Sequence, residues 1–333
     1  MVAWSVGMDK GTDRLEFGIL LPQGWIDDLN GLTFEDVKRF ALTAEALGFN
    51  SLWAYDHFIP YKEYRPFIGR PMLECWTLLS SIAGVTSKAR IGQVVTCNSY
   101  RNPALLAKMA STLDYISNGR LEFGIGAGWY EEEYISYGYQ FPSARARIEQ
   151  LDEALHIIRA MWVDESSTFN GKHYRVINAV NYPKPVQKPH PPIMVGGSGR
   201  LLLKVAARHA DIYNCPFASM DEFTDRLKVL KEHCISMRRD YNSIVKSLLM
   251  RVIIADRHEV LMDKVRAVKR RDESIDEFIA RSKGSTIIGT PDEVARVLQG
   301  YAAIGVSHFI LHLLPLDEDL ESLKLLISSC KRV

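Results

Sequence analysis

A glycine-rich segment points most directly to a ligand. It reads Gly-Gly-Ser-Gly, follows the apolar run 193–195 and precedes the helix-like stretch 201–208. Glycines let backbone N–H groups approach a phosphate closely, and the start of a helix favours negative charge. We therefore predict a phosphate-binding loop, although the same pattern is also typical of a tight turn. The residues predicted to form it are Gly196, Gly197, Ser198 and Gly199.

Asp56 and His57 directly follow the apolar run 51–55 and are the best candidates for acid-base chemistry. Histidine exchanges protons near neutral pH, and a neighbouring carboxylate could fix its tautomer or contact a cofactor. We predict that both residues are catalytic and that Asp56 also binds the cofactor. The alternative is a histidine that only caps the end of a strand through hydrogen bonds.

Three other groups are weaker candidates. Glycines 124, 126 and 128 imitate part of a dinucleotide motif, but we expect them to let a flat ring lie against the backbone. Successive side chains on a helix point about 100° apart, so glutamates 131–133 cannot hold one metal ion together. We interpret them as a solvated helix start and expect no metal site. Cys97 is expected to be a small buried thiol rather than a nucleophile.

Short apolar runs alternate with longer helical segments, and this alternation indicates parallel β-α-β units of the α/β class. Eight strands followed by helices predict a closed (β/α)8 TIM barrel, with the active site at the carboxyl ends of the strands. The predicted strands are residues 17–21, 51–55, 91–96, 121–125, 193–195, 211–213, 248–255 and 308–313. The predicted helices are residues 34–47, 74–86, 103–116, 144–162, 201–208, 220–239, 258–281, 291–303 and 318–329.

Residues 164–192 break this alternation directly before the glycine-rich loop. Asn170-Gly171 predicts a small hairpin, and the proline-rich stretch 182–192 predicts an extended arm. We therefore predict one domain over residues 1–333, with 164–192 as an insertion segment.

Composition limits the classes of partner. The 41 basic and 40 acidic residues nearly cancel, which gives no support to nucleic-acid or membrane-surface binding. Five scattered cysteines suit neither a disulfide framework nor a zinc motif. Residues 1–14 lack the pattern of a signal peptide, so we expect a cytoplasmic protein with a small-molecule substrate.

The order of the motifs resembles the bacterial luciferase-like family from Phe17 to about Leu314. Within that family the sequence is most similar to the branch that uses the deazaflavin coenzyme F420, and the flavin mononucleotide (FMN) monooxygenases form the other branch. The residues that carry the resemblance are 17–19, 46–49, 51–53, 56–58, 100–103, 114, 117–120, 124–129, 192–199, 209–211, 289–293 and 305–306.

The resemblance implies a flavin-type ring near the strand ends, a non-prolyl cis peptide within residues 93–95, and often a homodimer. Tyr61 and Trp129 are expected to line the substrate pocket. Trp129 stands where the sugar-phosphate dehydrogenases have a catalytic glutamate, and Tyr61 stands near their tryptophan. We therefore do not expect oxidation of a sugar phosphate by that arrangement. The cofactor-binding residues implied beyond the glycine loop and Asp56 are Gln93, Val94, Val95, Thr96, Ala127 and Gly128.

The resulting hypothesis is an F420-dependent oxidoreductase that transfers a hydride between the deazaflavin and a small organic substrate. The alternatives are a monooxygenase that uses reduced FMN and a non-catalytic flavin-binding protein. Because F420 has an anionic glutamyl tail, basic residues should lie near the phosphate loop. The candidates are Lys184, Lys188, Arg200, Lys204 and Arg208.

Overall fold

The computed structural model describes residues 15–26, 29, 31–61, 69–317 and 319–333. The N-terminal residues 1–14, on which the expectation about a signal peptide depends, lie outside the described residues. Glu318, the predicted start of the last helix, also lies outside them. Among the described residues, no helix combines the length and the apolar character that crossing a membrane requires.

Parallel strands form the central sheet. Within the described residues the strands are β1 (Glu16–Leu20), β2 (Ser51–Ala54), β3 (Arg90–Gln93), β4 (Thr96–Cys97), β5 (Leu121–Gly126), β6 (Ser167–Asn170), β7 (Arg175–Ala179), β8 (Ile193–Gly196), β9 (Ile212–Pro216), β10 (Val245–Ile254), β11 (Thr286–Gly289) and β12 (His308–Leu313). The ring runs β10-β12-β1-β2-β3-β5-β8-β9 and closes through the β9–β10 pair. This is the predicted (β/α)8 TIM barrel.

Helices cover the outside of this ring. In the described part of the chain they are α1 (Phe34–Leu47), α2 (Cys75–Ala83), α3 (Pro103–Ile116), α4 (Glu131–Ser136), α5 (Ala144–Val163), α6 (Arg200–His209), α7 (Met220–Ser236), α8 (His258–Val268), α9 (Ile275–Ser282), α10 (Pro291–Ala303) and α11 (Glu321–Cys330). Local signals explain several starts: Thr33 and Asp36 form a capping box at α1, and Ser219 and Glu222 form one at α7.

The structure differs from the predicted elements in three places. The third strand is interrupted between β3 and β4, where the Val94–Val95 peptide bond is cis, as the resemblance implied. Strand β11, which was not predicted, pairs only with the second half of β10. The predicted helix 258–281 is split into α8 and α9, because Ser274 and Glu277 form a capping box that begins a new helix.

The hairpin predicted around Asn170-Gly171 is present. Strands β6 and β7 pair antiparallel as a separate two-stranded sheet that does not join the barrel. Residues 180–192 then run without regular structure to β8, with cis peptide bonds before Pro183 and Pro189. The glycine-rich loop therefore follows this irregular arm and one short buried strand.

Candidate active site

A cavity of about 490 Å³ opens at the carboxyl ends of the barrel strands. This is the end at which barrel enzymes carry their active sites. The predicted site residues that line the cavity are Asp56, His57, Tyr61, Val94, Val95, Thr96, Ala127, Gly128, Trp129, Gly196, Gly197, Ser198 and Gly199. Gln93 is fully buried and does not line it.

The glycine loop connects β8 to α6, and two hydrogen bonds join it to residues of β9. The Gly197 N–H donates to the Asn214 carbonyl at 3.1 Å, and the Tyr213 hydroxyl donates to the Gly197 carbonyl at 3.0 Å. Gly197 has a φ of 140°, which side chains rarely tolerate. Gly199 is the N-cap of α6 and offers no side-chain oxygen to the helix. The first N–H groups of α6 thus remain available to an anion.

Three glycines make room for the bulge at Val94–Val95. A Cβ atom at Gly124 would overlap the Gln93 carbonyl oxygen, and one at Gly126 or Gly196 would lie 2.7 Å from a methyl group of Val95. Contacts this short do not occur in folded proteins without rearrangement. Gly124 and Gly126, in the second half of β5, thus accommodate the protein's own bulge, a role that the sequence did not indicate. The expectation that the glycines of this segment let a flat ring lie against the backbone stays a prediction.

Asp56 is buried and bound to Arg101. The guanidinium donates from Nη1 to Oδ2 at 2.6 Å and from Nη2 to Oδ1 at 3.0 Å, and the Cys97 N–H donates to Oδ2 at 2.9 Å. Burial raises the pKa of Asp56, but the charge of Arg101 and these donors oppose that rise. We assign an ionised pair because such a forked geometry requires a carboxylate. Asp56 thus connects the end of β2 to Cys97 in β4, after the bulge, and to Arg101. Glu133, and not Asp56, contacts the His57 ring.

His57 is oriented by Glu133, not by Asp56. Its Nδ1 lies 2.8 Å from Glu133 Oε2, although the two residues are far apart in sequence. Glu133 is fully buried and also accepts from the Tyr100 hydroxyl at 2.8 Å and from the backbone of Phe58 at 2.7 Å and Ile59 at 3.2 Å. The Tyr100 hydroxyl and the two backbone N–H groups already donate to Glu133, so we assign Nδ1 of His57 as a fourth donor, which carries the ring proton. The opposite ring nitrogen, Nε2, is the one left for proton exchange.

The prediction for glutamates 131–133 was therefore wrong at Glu133. Glu131 is exposed, whereas Glu133 lies on the inner face of the short helix α4. One signal in the sequence could have indicated this: the neighbouring Tyr134 is a large aromatic residue, a type that is often buried. Burial raises the pKa of the Cys97 thiol, which lies 3.0 Å from the Tyr134 hydroxyl, to about 12, so Cys97 is protonated at neutral pH.

An aromatic cluster surrounds His57. Trp25, in the loop after β1, stacks on the imidazole with 3.7 Å between ring centroids and on Tyr61 with 5.2 Å. Trp129 meets the imidazole edge-on at 5.8 Å and is 55% exposed, so it forms the rim of the cavity. Trp25 was not predicted from the sequence. It belongs to none of the motifs named above, and only the folding of the chain brings it against His57.

Two arginines also line the cavity, and neither was predicted. Arg147, near the start of α5, donates to the carbonyls of Gly128 and Pro142. Arg251, on β10, stands over the Phe217 ring at 4.0 Å. Of the basic residues predicted near the glycine loop, Lys184 and Lys188 donate to backbone carbonyls and Arg208 donates to Asp152. Arg200 and Lys204, on α6, remain as candidates for that charge, although the exposed Arg200 guanidinium also lies 3.8 Å from Glu232.

The chain belongs to the luciferase-like monooxygenase family, whose model matches residues 15–308. It is therefore an oxidoreductase of the flavin- and deazaflavin-dependent kind. Among curated proteins, it is similar to an F420-dependent glucose-6-phosphate dehydrogenase of Amycolatopsis mediterranei. The two are 25% identical over 298 residues, which cover 83% of this chain and 88% of the relative.

Solved structures of low identity share the fold. An F420-dependent secondary alcohol dehydrogenase in complex with an F420-acetone adduct superposes with a TM-score of 0.76 at 20% identity, covering 95% of this chain and 97% of the other. The EDTA monooxygenase of Chelativorans sp. BNC1 has a TM-score of 0.78 at 15% identity, with 96% and 93% covered. At these identities the likeness concerns the barrel alone.

Proposed function

We propose that this protein is an F420-dependent oxidoreductase that transfers a hydride between the deazaflavin and a small organic substrate. The observation that carries the proposal is a single cavity into which both the glycine loop and the Glu133-oriented His57 open. The similarity to F420-dependent dehydrogenases over most of the chain supports the choice of cofactor.

The residues present fit such a cofactor. The cavity volume of about 490 Å³ lies within the usual range for organic ligands. The bulge at Val94–Val95 and the backbone at Ala127 form a wall with few polar side chains, which suits a flat ring. We propose that Gly196–Gly199 and the start of α6 hold its phosphate, and that Arg200 and Lys204 face its acidic tail. When bound, F420 supplies the site that accepts or donates the hydride.

His57 manages the proton that accompanies the hydride. In the oxidising direction Nε2 accepts the proton that the substrate hydroxyl releases, and in the reducing direction it returns a proton to the substrate. Glu133 keeps the ring in the orientation and tautomer that this requires, and its negative charge stabilises the imidazolium. Trp25, stacked on the same ring, prevents it from rotating away.

The substrate side of the cavity is aromatic. Trp25, Tyr61 and Trp129 enclose His57 and exclude water from one face, which favours an apolar or aromatic substrate body. Since Trp129 occupies the position of the glutamate expected in sugar-phosphate dehydrogenases, we propose a substrate other than a sugar phosphate.

The test is anaerobic turnover. Purified protein is mixed with oxidised F420 and a panel of alcohols, and with reduced F420 and a panel of ketones and activated alkenes, while the absorbance of the oxidised deazaflavin is followed. Substrate-dependent conversion without oxygen supports the proposal. Turnover only with reduced FMN and oxygen would replace it with the monooxygenase, and intact binding without turnover would favour a non-catalytic flavin-binding protein.

We also propose one domain over residues 1–333, with 164–192 as an insertion, and assembly as a homodimer. Exposed apolar side chains on α3, namely Leu105, Tyr115 and Ile116, support a dimer surface near the early strands. Light scattering coupled to size exclusion gives the mass, and a monomer at micromolar concentration would contradict the dimer.

A further inference from the structure

Helices α5 and α6 bring one aspartate and two histidines together outside the active-site cavity. Asp152 and His156 are four residues apart on α5 and so share one face of that helix, and His209 is the last residue of α6. One potential ligand atom of each lies within 4.8 Å of the other two. Asp152 Oδ1 is 2.8 Å from His209 Nε2, and the two imidazoles meet edge-on with 4.6 Å between centroids.

The donor types suit metal binding. Two imidazoles and one carboxylate oxygen form a common ligand set for zinc, with water in the fourth position. The contact between Asp152 Oδ1 and His209 Nε2 shows that the carboxylate already faces one of the two imidazoles.

The surroundings also resemble those of a metal site. Arg208 Nη1 donates to Asp152 Oδ2 at 2.6 Å, which leaves Oδ1 directed at His209. Ligating carboxylates are commonly held by such an outer hydrogen bond. His156 is exposed, so an ion can enter from solvent, and its ring lies parallel to that of Phe169 in β6 at 6.4 Å.

We propose that Asp152, His156 and His209 bind one zinc ion, which links α5 to the last residue of α6, at the end of that helix remote from the glycine loop. Zinc bonds of about 2.0–2.2 Å place tetrahedral ligands roughly 3.3–3.6 Å apart. The Asp152–His209 pair therefore opens slightly and the His156 ring closes in. No metal was expected from the sequence, since it contains no common spacing of metal ligands and His209 is brought to Asp152 and His156 only by the packing of α6 against α5. The positive charges of Arg208 and Arg159 near the cluster oppose the binding of a cation and lower its affinity.

The experiment measures metal binding to the full chain without any cofactor. EDTA-treated, dialysed protein is titrated with zinc chloride in competition with a chromophoric chelator, and separately with cobalt chloride. We expect one zinc ion per chain, a visible cobalt absorption of tetrahedral intensity, and a rise of the unfolding temperature with zinc. His156→Ala should weaken binding at least about tenfold and abolish the cobalt band.

His258→Ala is the matched control, because His258 is an exposed histidine on a helix outside the cluster. It should bind zinc like the unaltered protein. Asp152→Asn tests the carboxylate, and circular dichroism establishes that each variant is folded. The proposal is overturned if no stoichiometric zinc binding occurs, or if His156→Ala binds as tightly as His258→Ala.

Discussion

The two sides of the active-site cavity are built in different ways. One side, the backbone wall, consists of the bulge at Val94–Val95 and the loops at Ala127 and Gly196–Gly199. The other, the side-chain wall, consists of Trp25, His57, Tyr61 and Trp129, with Glu133 buried behind it. The first presents peptide groups and small residues, and the second presents rings and an acid-base group.

We propose that this difference separates cofactor binding from chemistry. Peptide groups at strand ends can hold any flat ring with a phosphate, so the backbone wall suits flavins and deazaflavins alike. Proton transfer and substrate fit depend on side chains, and therefore on the side-chain wall. Changes to the side-chain wall should affect turnover, whereas changes to the backbone wall should affect binding. The following predictions test that division, beginning with the largest effect.

Replacing His57 should stop turnover without releasing the cofactor. We expect His57→Ala to lower kcat at least about a hundredfold, because general acid-base groups contribute this much, while the Kd for F420 changes less than about threefold. Steady-state kinetics with the substrate found in the anaerobic screen gives kcat, and fluorescence titration gives the Kd.

His173→Ala is the control for this variant. His173 also pairs with a glutamate, at 3.3 Å from Glu149, and its side chain is 15% exposed against 14% for His57, but it does not line the cavity. Near-normal kcat in His57→Ala would reduce His57 to a structural residue.

Replacing Glu133 by glutamine should affect turnover next most strongly. The glutamate offers two acceptor oxygens to its four donors, whereas a glutamine side chain offers only one. The His57 ring then loses its fixed tautomer, and we expect kcat to fall at least about tenfold. Unpaired buried donors should also lower the free energy of unfolding by about 1–3 kcal/mol. Glu131→Gln, on the exposed side of the same helix, should change neither kcat nor stability.

The measurements are kcat against pH and urea denaturation. A positioning role predicts that the pH profile of kcat moves in Glu133→Gln while F420 binding is retained. If stability falls but the pH profile and kcat are those of the unaltered protein, Glu133 only packs the core.

Replacing Gly197 by valine should weaken cofactor binding. Its φ of 140° is unfavourable for any side chain, and the added methyl groups obstruct the approach of a phosphate to the loop. We expect the Kd for F420 to rise at least about tenfold, or about 1.4 kcal/mol, with little change in kcat at saturation. Gly84→Ala, where φ is −73°, is the control. Unchanged affinity in folded Gly197→Val would place the phosphate elsewhere.

The smallest effect should come from the charges on α6. Replacing both Arg200 and Lys204 by glutamine should weaken F420 binding less than about fivefold, since exposed ion pairs contribute about 1 kcal/mol or less. The difference should vanish at high salt, because screening acts over about 8 Å at physiological ionic strength. Lys228→Gln, an exposed lysine on α7, is the control. Salt-independent weakening would point to a structural effect instead.

Features that depend on local sequence could be predicted, and features that depend on distant contacts could not. The apolar run 193–195 predicts strand β8, and Thr33 as a capping residue predicts the start of α1; the structure has both. The cis bond at Val94–Val95 was expected only through the resemblance. Glu133 was misassigned because its burial depends on Tyr100 and His57, which reach it from the segments after β4 and β2. Strand β11 was missed since it is short and follows a charged helical stretch.

The most direct test of the account is a comparison of the two cofactors. Tryptophan fluorescence is followed as the protein is titrated with F420 and, separately, with FMN, at low and at physiological salt. The account predicts micromolar binding of F420, about 8 kcal/mol, and weaker binding of FMN at low salt. Affinity for F420 should fall more with salt, because FMN lacks the acidic tail. Tighter binding of FMN at every salt concentration would contradict the assignment to the F420 branch.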